Sequence, residues 1–245
     1  MPAPEMMLKY LISLVLIATS FCTLAQTKGQ VKQKADSLLA ELDSSTMYIP
    51  TGIRIGTDVI SMVKTFSKDN YTELNFYADI DFHKYLFNVE YGQVERSLFN
   101  DSAAYHVKGS YFKFGPDINF LYKDPDRSAL FFGLRYAFTK FSDDLSYIKN
   151  DPTYGLHAAR IENDAINAKW FELVGGLKVK IWKTMWLGYT ARFKFGVNSF
   201  EDEKLIPNTI PGYGRADEKV TWGFNYWLIF RIPVRNSPVP FYPKK

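Results

Sequence analysis

The chain has 245 residues, a net charge of +4, 17% aromatic and 23% charged side chains, and a slightly negative mean hydropathy. Beyond the first 25 residues no apolar run reaches the roughly 18 residues that a membrane-spanning helix requires. The basic residues are dispersed, which gives no nucleic-acid-binding run. The single cysteine, Cys22, excludes an internal disulfide framework or a cysteine-based metal site.

The N-terminus reads as a signal peptide over residues 1–25. Lys9 supplies the positive charge, Tyr10 to Phe21 the apolar region, and Thr23-Leu24-Ala25 the small residues before cleavage at Gln26. Met7 serves equally well as a start. Bulky Phe21 ahead of Cys22 argues against lipidation. Residues 26–50 form a polar periplasmic segment. In it Val31, Ala35, Leu38, Leu39 and Leu42 recur at helical spacing, which fits either a short amphipathic helix or a solvated linker closed by Pro50.

From Thr51 the period changes to two. Eight segments of membrane-crossing length follow: 52–62, 71–82, 84–96, 107–122, 129–141, 169–182, 185–197 and 220–233. In the third, Tyr85, Phe87, Val89 and Tyr91 oppose Asn88, Glu90 and Gly92. In the seventh, Leu187, Tyr189, Phe193 and Phe195 oppose Gly188, Thr190, Arg192, Lys194 and Gly196. The connections alternate between short ones (near His83, over 123–127, and at Lys183-Thr184) and longer ones, notably 142–168 and 198–219. This is the pattern of an outer-membrane barrel with short periplasmic turns and long outer loops. The expected fold is therefore an all-β, eight-stranded antiparallel up-and-down transmembrane barrel over residues 51–233. Both termini are periplasmic, and a Pro-rich periplasmic tail covers 234–245.

Side-chain volume orients the barrel. An eight-stranded barrel has little room inside. The polar face carries Gly56, Gly92, Gly115, Gly133, Gly176, Gly188, Gly196 and Gly223, whereas the other face is rich in Phe, Tyr, Trp and Leu. The aromatic face is placed in lipid. Trp170, Trp182 and Trp222, near segment ends, fit interfacial girdles.

The polar face holds seven acidic residues (Asp58, Glu73, Asp79, Asp81, Glu90, Asp117 and Glu172) and eight basic ones (Arg54, Lys113, Arg135, Lys178, Lys180, Arg192, Lys194 and Arg231). Near-balance allows them to pair across the lumen, as a structural network or as a polarised binding site or conduit. His106 and His157 fall in outer loops beside Ser142, Asp143 and Asp144. No G-x-S-x-G or H-E-x-x-H motif is present, so no catalytic, cofactor or metal site is assigned. Pro207, Pro211, Gly212 and Gly214 give the last loop turn chemistry and predict surface exposure.

The last strand, Thr221-Trp222-Gly223-Phe224-Asn225-Tyr226-Trp227-Leu228, resembles the assembly signal of outer-membrane proteins, with Thr221, Gly223, Tyr226 and Leu228 at its defining positions. The resemblance implies transient recognition by the barrel-assembly machinery. The Gln26-led start, the Pro50-Thr51-Gly52-Ile53-Arg54-Ile55-Gly56 entry and the glycine–aromatic strands resemble the small outer-membrane barrels of Bacteroidota, including PorT-like proteins. That resemblance implies a non-catalytic role in protein secretion or outer-membrane protein assembly. The implied partners are membrane lipid and other barrels or lipoproteins, with no cofactor and no nucleic acid. A small-solute conduit and a barrel-type outer-membrane enzyme are the alternatives.

Overall fold

In the computed structural model, residues 50–82, 84–151, 155–197, 200 and 204–234 are described. The signal peptide, the periplasmic helix, His83 and the tail after Val234 lie outside the described residues.

The elements in chain order are β1 (Gly52–Asp58), α1 (Val59–Ser67), β2 (Tyr71–Phe82), β3 (Tyr85–Asn100), β4 (Ala103–Asn119), β5 (Ala129–Asp151), β6 (Gly155–Trp182), β7 (Met185–Gly196), β8 (Thr209–Ile210), β9 (Gly214–Arg215) and β10 (Val220–Pro233). Eight strands close into an antiparallel ring in the order β1-β10-β7-β6-β5-β4-β3-β2, and β8 and β9 form a separate ribbon. Gly52 pairs with Pro233, so the barrel's first and last residues share one rim.

The turns at that rim are built by local chemistry. Between β4 and β5, Asp124 accepts from the Arg127 amide through its carbonyl at 3.0 Å and from the Ser128 amide through its side chain at 2.8 Å. Arg127 takes a left-handed conformation there (φ 57°). Between β6 and β7, Lys183 and Thr184 suffice, and Trp182 pairs directly with Met185.

Alternation sets the two faces. Ile55, Phe76, Phe87, Phe132, Phe193 and Phe230 are exposed on the outside, among many other large apolar residues. Leaving one such side chain in water costs about 1.5–3 kcal/mol. Across the belt this exceeds the about 5–15 kcal/mol net stability of a typical domain, so the belt requires lipid. This is a transmembrane barrel of the outer-membrane type.

The inside holds Arg54, Asp79, Glu90, Asp117, Arg135, Glu172 and Lys178, all at 5% exposure or less. Inward glycines make room for them. A side chain at Gly133 would meet the Asp117 carboxylate, and one at Gly176 the Phe131 ring.

Four differences from the sequence reading have physical causes. First, β1 stops at Asp58 rather than continuing to Met62. The Asp58 carboxylate accepts from the Ile60 amide at 3.1 Å and the Ser61 hydroxyl at 2.8 Å, and so caps α1. Second, within the expected loop over 142–168, residues 142–151 and 155–168 are strand. β5 and β6 pair as far as Asp151 with Gly155, and β3 and β4 pair as far as Asn100 with Ala103, so four strands rise together past the barrel mouth. A bulge between Phe141 and Asp143 gives β6 an extra residue there, which breaks the period that marks a strand in the sequence. Third, Trp170 is fully buried inside, where its indole donates to Glu172 at 2.7 Å, rather than standing in a girdle. Trp182 and Trp222 are exposed outside. Fourth, the last loop folds inward.

Candidate functional site

The lumen is filled in layers. Nearest the turn-side rim, Arg54 reaches Asp81 at 2.9 Å and Asp79 at 3.7 Å, and Lys178 reaches Asp79 at 2.7 Å. Arg231 approaches Asp81 at 3.7 Å. Tyr77 donates its hydroxyl to Asp79, and the Lys178 ammonium lies 4.3 Å from the Phe131 ring centroid. These side chains come from β1, β2, β5, β6 and β10, so the layer spans the barrel's width.

The middle layer contains three acids and three bases. Arg192 bridges Glu90 (3.0 Å) and Glu172 (2.8 Å), Lys113 pairs with Glu172 (2.9 Å), and Arg135 pairs with Asp117 (2.6 Å). Arg135 also donates to the Asn88 side chain at 3.2 Å. Each charge has an opposite partner at hydrogen-bonding distance. That is the condition under which buried ions are tolerated.

The top layer is the loop that carries β8 and β9. Ile210 and Tyr213 are 3% exposed and pack with Tyr105, Tyr111, Phe141 and Trp170. Lys194 donates to the carbonyls of Gly212 (3.0 Å) and Tyr213 (2.8 Å), and Lys113 reaches Gly212 at 3.3 Å. Tyr213 stands edge-on to Trp170 with centroids 5.7 Å apart. The loop is a plug rather than a surface turn. Its open carbonyls are the acceptors that the two lumen lysines require, and its apolar residues fill the space between inward aromatics. Planar-bilayer recording of the intact protein is expected to show no discrete conductance; current steps would mean that the three layers open.

The remaining charged positions sit apart from these layers. Asp58 is the α1 cap, and it also accepts from the Asn225 amide group at 2.5 Å and the Tyr226 backbone at 3.1 Å. Glu73 is half-buried, bound by the Tyr71 hydroxyl and by Asn75 at 3.0 Å. Lys180 lies at the turn-side mouth, 3.3 Å from Asp126. Of the strand with the assembly-signal pattern, Thr221 and Gly223 face inward, and the Thr221 hydroxyl donates to the Tyr213 carbonyl at 3.1 Å. Tyr226 and Leu228 belong to the outer face.

Sequence reasoning missed Tyr105, Tyr111, Trp170, Trp227 and Tyr213 as lumen residues. The isolated Ile210 and Tyr213 in a polar Pro/Gly loop were the available signal for the plug. An apolar pair flanking a tight turn has to be buried somewhere.

His106 meets a serine and an acid, though not those expected from the loops. Its Nδ1 is 2.9 Å from the Ser97 hydroxyl, and its Nε2 is 3.8 Å from Glu95. Lys108 holds the same carboxylate more closely, at 3.0 Å, and the Ser97 amide is already bonded to the Asn70 carbonyl. Glu95 therefore stands too far from the imidazole to orient it by a hydrogen bond, and the serine's own N–H is not free as an oxyanion donor. Asp143 is buried against Tyr105 (2.9 Å) and Asn163 (3.0 Å), Asp144 pairs with Arg160 (3.6 Å), and His157 is exposed near the β5–β6 tip. Among the described residues no cluster of His, Cys, Asp and Glu could hold a metal ion.

Among solved structures, the chain is similar to Ail, the attachment invasion locus protein of Yersinia pestis, at 11% identity and a TM-score of 0.38, covering 76% of this chain and 100% of that chain. Ail in complex with the heparin analogue sucrose octasulfate gives 10% identity and a TM-score of 0.35 over the same shares. Among curated proteins none matches. The model of the family described as Domain of unknown function (DUF6048) matches residues 7–237, nearly the whole chain, and the protein belongs to that family.

Proposed function

We propose that this protein is a non-catalytic, non-conducting outer-membrane barrel that serves as a subunit or accessory of an envelope complex, in protein secretion or outer-membrane protein assembly, with its termini in the periplasm. The observation that carries this reading is the filled lumen. Two layers of paired charges and an inward plug occupy the space that a transporter keeps open, which leaves the surfaces to do the work.

One such surface is the four-stranded extension. β6 pairs with β7 only from Trp170 onward, so Gly155–Lys169 has β5 on one side and no strand on the other among the described residues. A free strand edge is a template on which a partner's strand can add, and it is a liability where nothing covers it. The resemblance to PorT-like barrels supports an assignment to secretion or assembly.

The test is affinity purification from outer membranes in mild detergent. Stoichiometric protein partners are expected. A variant in which residues 145–161 are replaced by an Asn-Gly turn, joining the register partners Asp144 and Glu162, is expected to lose them while its barrel still migrates as a compact, heat-modifiable species. A protein that purifies alone from native membranes would overturn the reading.

A further inference from the structure

The seam between β1 and β10 is closed over only part of its length. β1 ends at Asp58 opposite Trp227, so β10 from Val220 to Tyr226 has its one strand partner in β7. On the other flank β2 continues past Thr57's partner Phe76 to Tyr71 with no β1 beside it. α1 stands where the missing strand would be. It is tied to β2 by Thr65, whose hydroxyl donates to the Glu73 carbonyl at 3.0 Å and accepts from the Glu73 amide at 2.8 Å. Toward β10 it is tied through its cap, Asp58, which accepts from Asn225 and from the Tyr226 amide.

Behind this seam lies a cavity of about 290 Å³, walled by α1, the plug tip and β10. Trp222 and Phe224 form its lip and are exposed on the lipid face, where a second hollow of about 270 Å³ continues between them and Phe193. The cavity therefore has a sideways opening at the loop-end margin of the apolar belt. An unpaired strand edge facing pure hydrocarbon costs several kcal/mol per backbone group. Such an edge is tolerated where it borders polar matter, so the opening belongs at headgroup depth.

The lining is charged and unbalanced. Asp58 caps the helix and Glu73 accepts from Tyr71 and Asn75; both keep their charge, but against five basic side chains in the lining they are two. Lys113 and Arg192 are matched by Glu172 and Glu90 beneath. Lys64, Arg96 and Lys194 line the cavity and form no ion pair among the described residues. Outside, α1 turns its apolar side to the surroundings, with Val63 at 57% and Phe66 at 84% exposure. Cations within and exposed aromatics at the lip match the two halves of one molecule.

We propose that this cleft binds the phosphate headgroup of an anionic lipid, which enters laterally between α1 and β10 and leaves its acyl chains outside against Trp222, Phe224 and Phe66. Lys64 and Arg96 supply charge-assisted hydrogen bonds to the phosphate. Lys194 already holds the plug carbonyls and adds field from below. The site is independent of any protein partner, so its test bears on the cleft alone.

The experiment is native mass spectrometry of the intact barrel released from dodecyl maltoside, titrated with dodecyl phosphate, with zwitterionic dodecylphosphocholine of the same chain, and with inorganic phosphate. One copy of dodecyl phosphate is expected to be retained, at least about tenfold more tightly than dodecylphosphocholine, with inorganic phosphate weaker still. Lys64→Gln and Arg96→Gln are each expected to weaken it about fivefold or more. Lys64→Arg is expected to keep the affinity, as is Lys180→Gln at the opposite rim. Trp222→Ala is expected to reduce the advantage of dodecyl phosphate over inorganic phosphate. Equal retention of the two detergents, unchanged affinity in both glutamine variants, or inorganic phosphate binding as tightly as dodecyl phosphate would each overturn the proposal. Lys64 is exposed on α1, so its variants test the site without disturbing the barrel wall.

Discussion

Replacing Glu172 with leucine is expected to lower the barrel's unfolding free energy by about 3–5 kcal/mol, read as an earlier urea midpoint in detergent micelles. Glu172 is fully buried and serves Lys113, Arg192 and the Trp170 indole at once. Removing it leaves Lys113 without its ion-pair partner and leaves Arg192 with Glu90 alone. An orphaned buried cation costs far more than the lost pair itself contributed. The double variant Glu172→Leu/Lys113→Met removes one charge of each sign and keeps the Arg192–Glu90 pair. It is expected to recover most of the loss, and the non-additivity measures the coupling. A single variant with an unshifted midpoint would mean that water, rather than protein charge, satisfies Lys113 and Arg192.

Gly212→Val is expected to release the plug. Gly212 has φ 79°, a conformation that β-branched residues strongly resist, and a side chain there would run into the Tyr111 ring. Strain and overlap together are expected to cost about 2 kcal/mol or more, equivalent to about thirtyfold faster amide exchange across residues 208–216. Lys113 and Lys194 lose their carbonyl acceptors, whereas the strands of the wall keep their pairing. Exchange should therefore rise in the plug and remain slow in β5, β6 and β7. Uniform protection across both would show that the tip is not held at Tyr111.

The wall of this protein is legible in its sequence because lipid and a narrow lumen impose opposite demands on alternate residues. Phe87 and Tyr91 cannot fit inside beside Gly92, and Asn88 and Glu90 cannot face hydrocarbon. The period of two follows, and with it the strand number, the face directions and the short turns at one rim. What was not legible depends on contacts distant in sequence or on a local break in period. The Val59-Ile60-Ser61-Met62 run suits strand or helix equally, and only Asp58 acting as a cap decides it. The β5–β6 extension hides behind one bulge and a polar composition suited to life above the membrane. Trp170 turns inward because Glu172 and Tyr213, both on the lumen side, receive it. The charged residues were identifiable by face, but not by partner. Lys113 pairs with Glu172 from across the barrel, and Arg192 bridges Glu172 and Glu90, links that the alternation of faces does not specify.

The partial seam also sets an order for building the barrel. Every other join in the ring links strands that are neighbours in the chain or are separated only by the plug loop, whereas β1 and β10 are brought together from opposite ends of roughly 180 residues. Loop-closure cost grows by about 0.6 kcal/mol per doubling of length, so this join carries about 3–4 kcal/mol more entropy cost than a tight hairpin. It has seven residue pairs to offset that cost, against 22 between β5 and β6. The hairpins of the tall wall are thus the natural nucleus, and circularisation is the final, most reversible step. Opening on the folded side should begin at Asp58 and Trp227, where the register runs out beside α1.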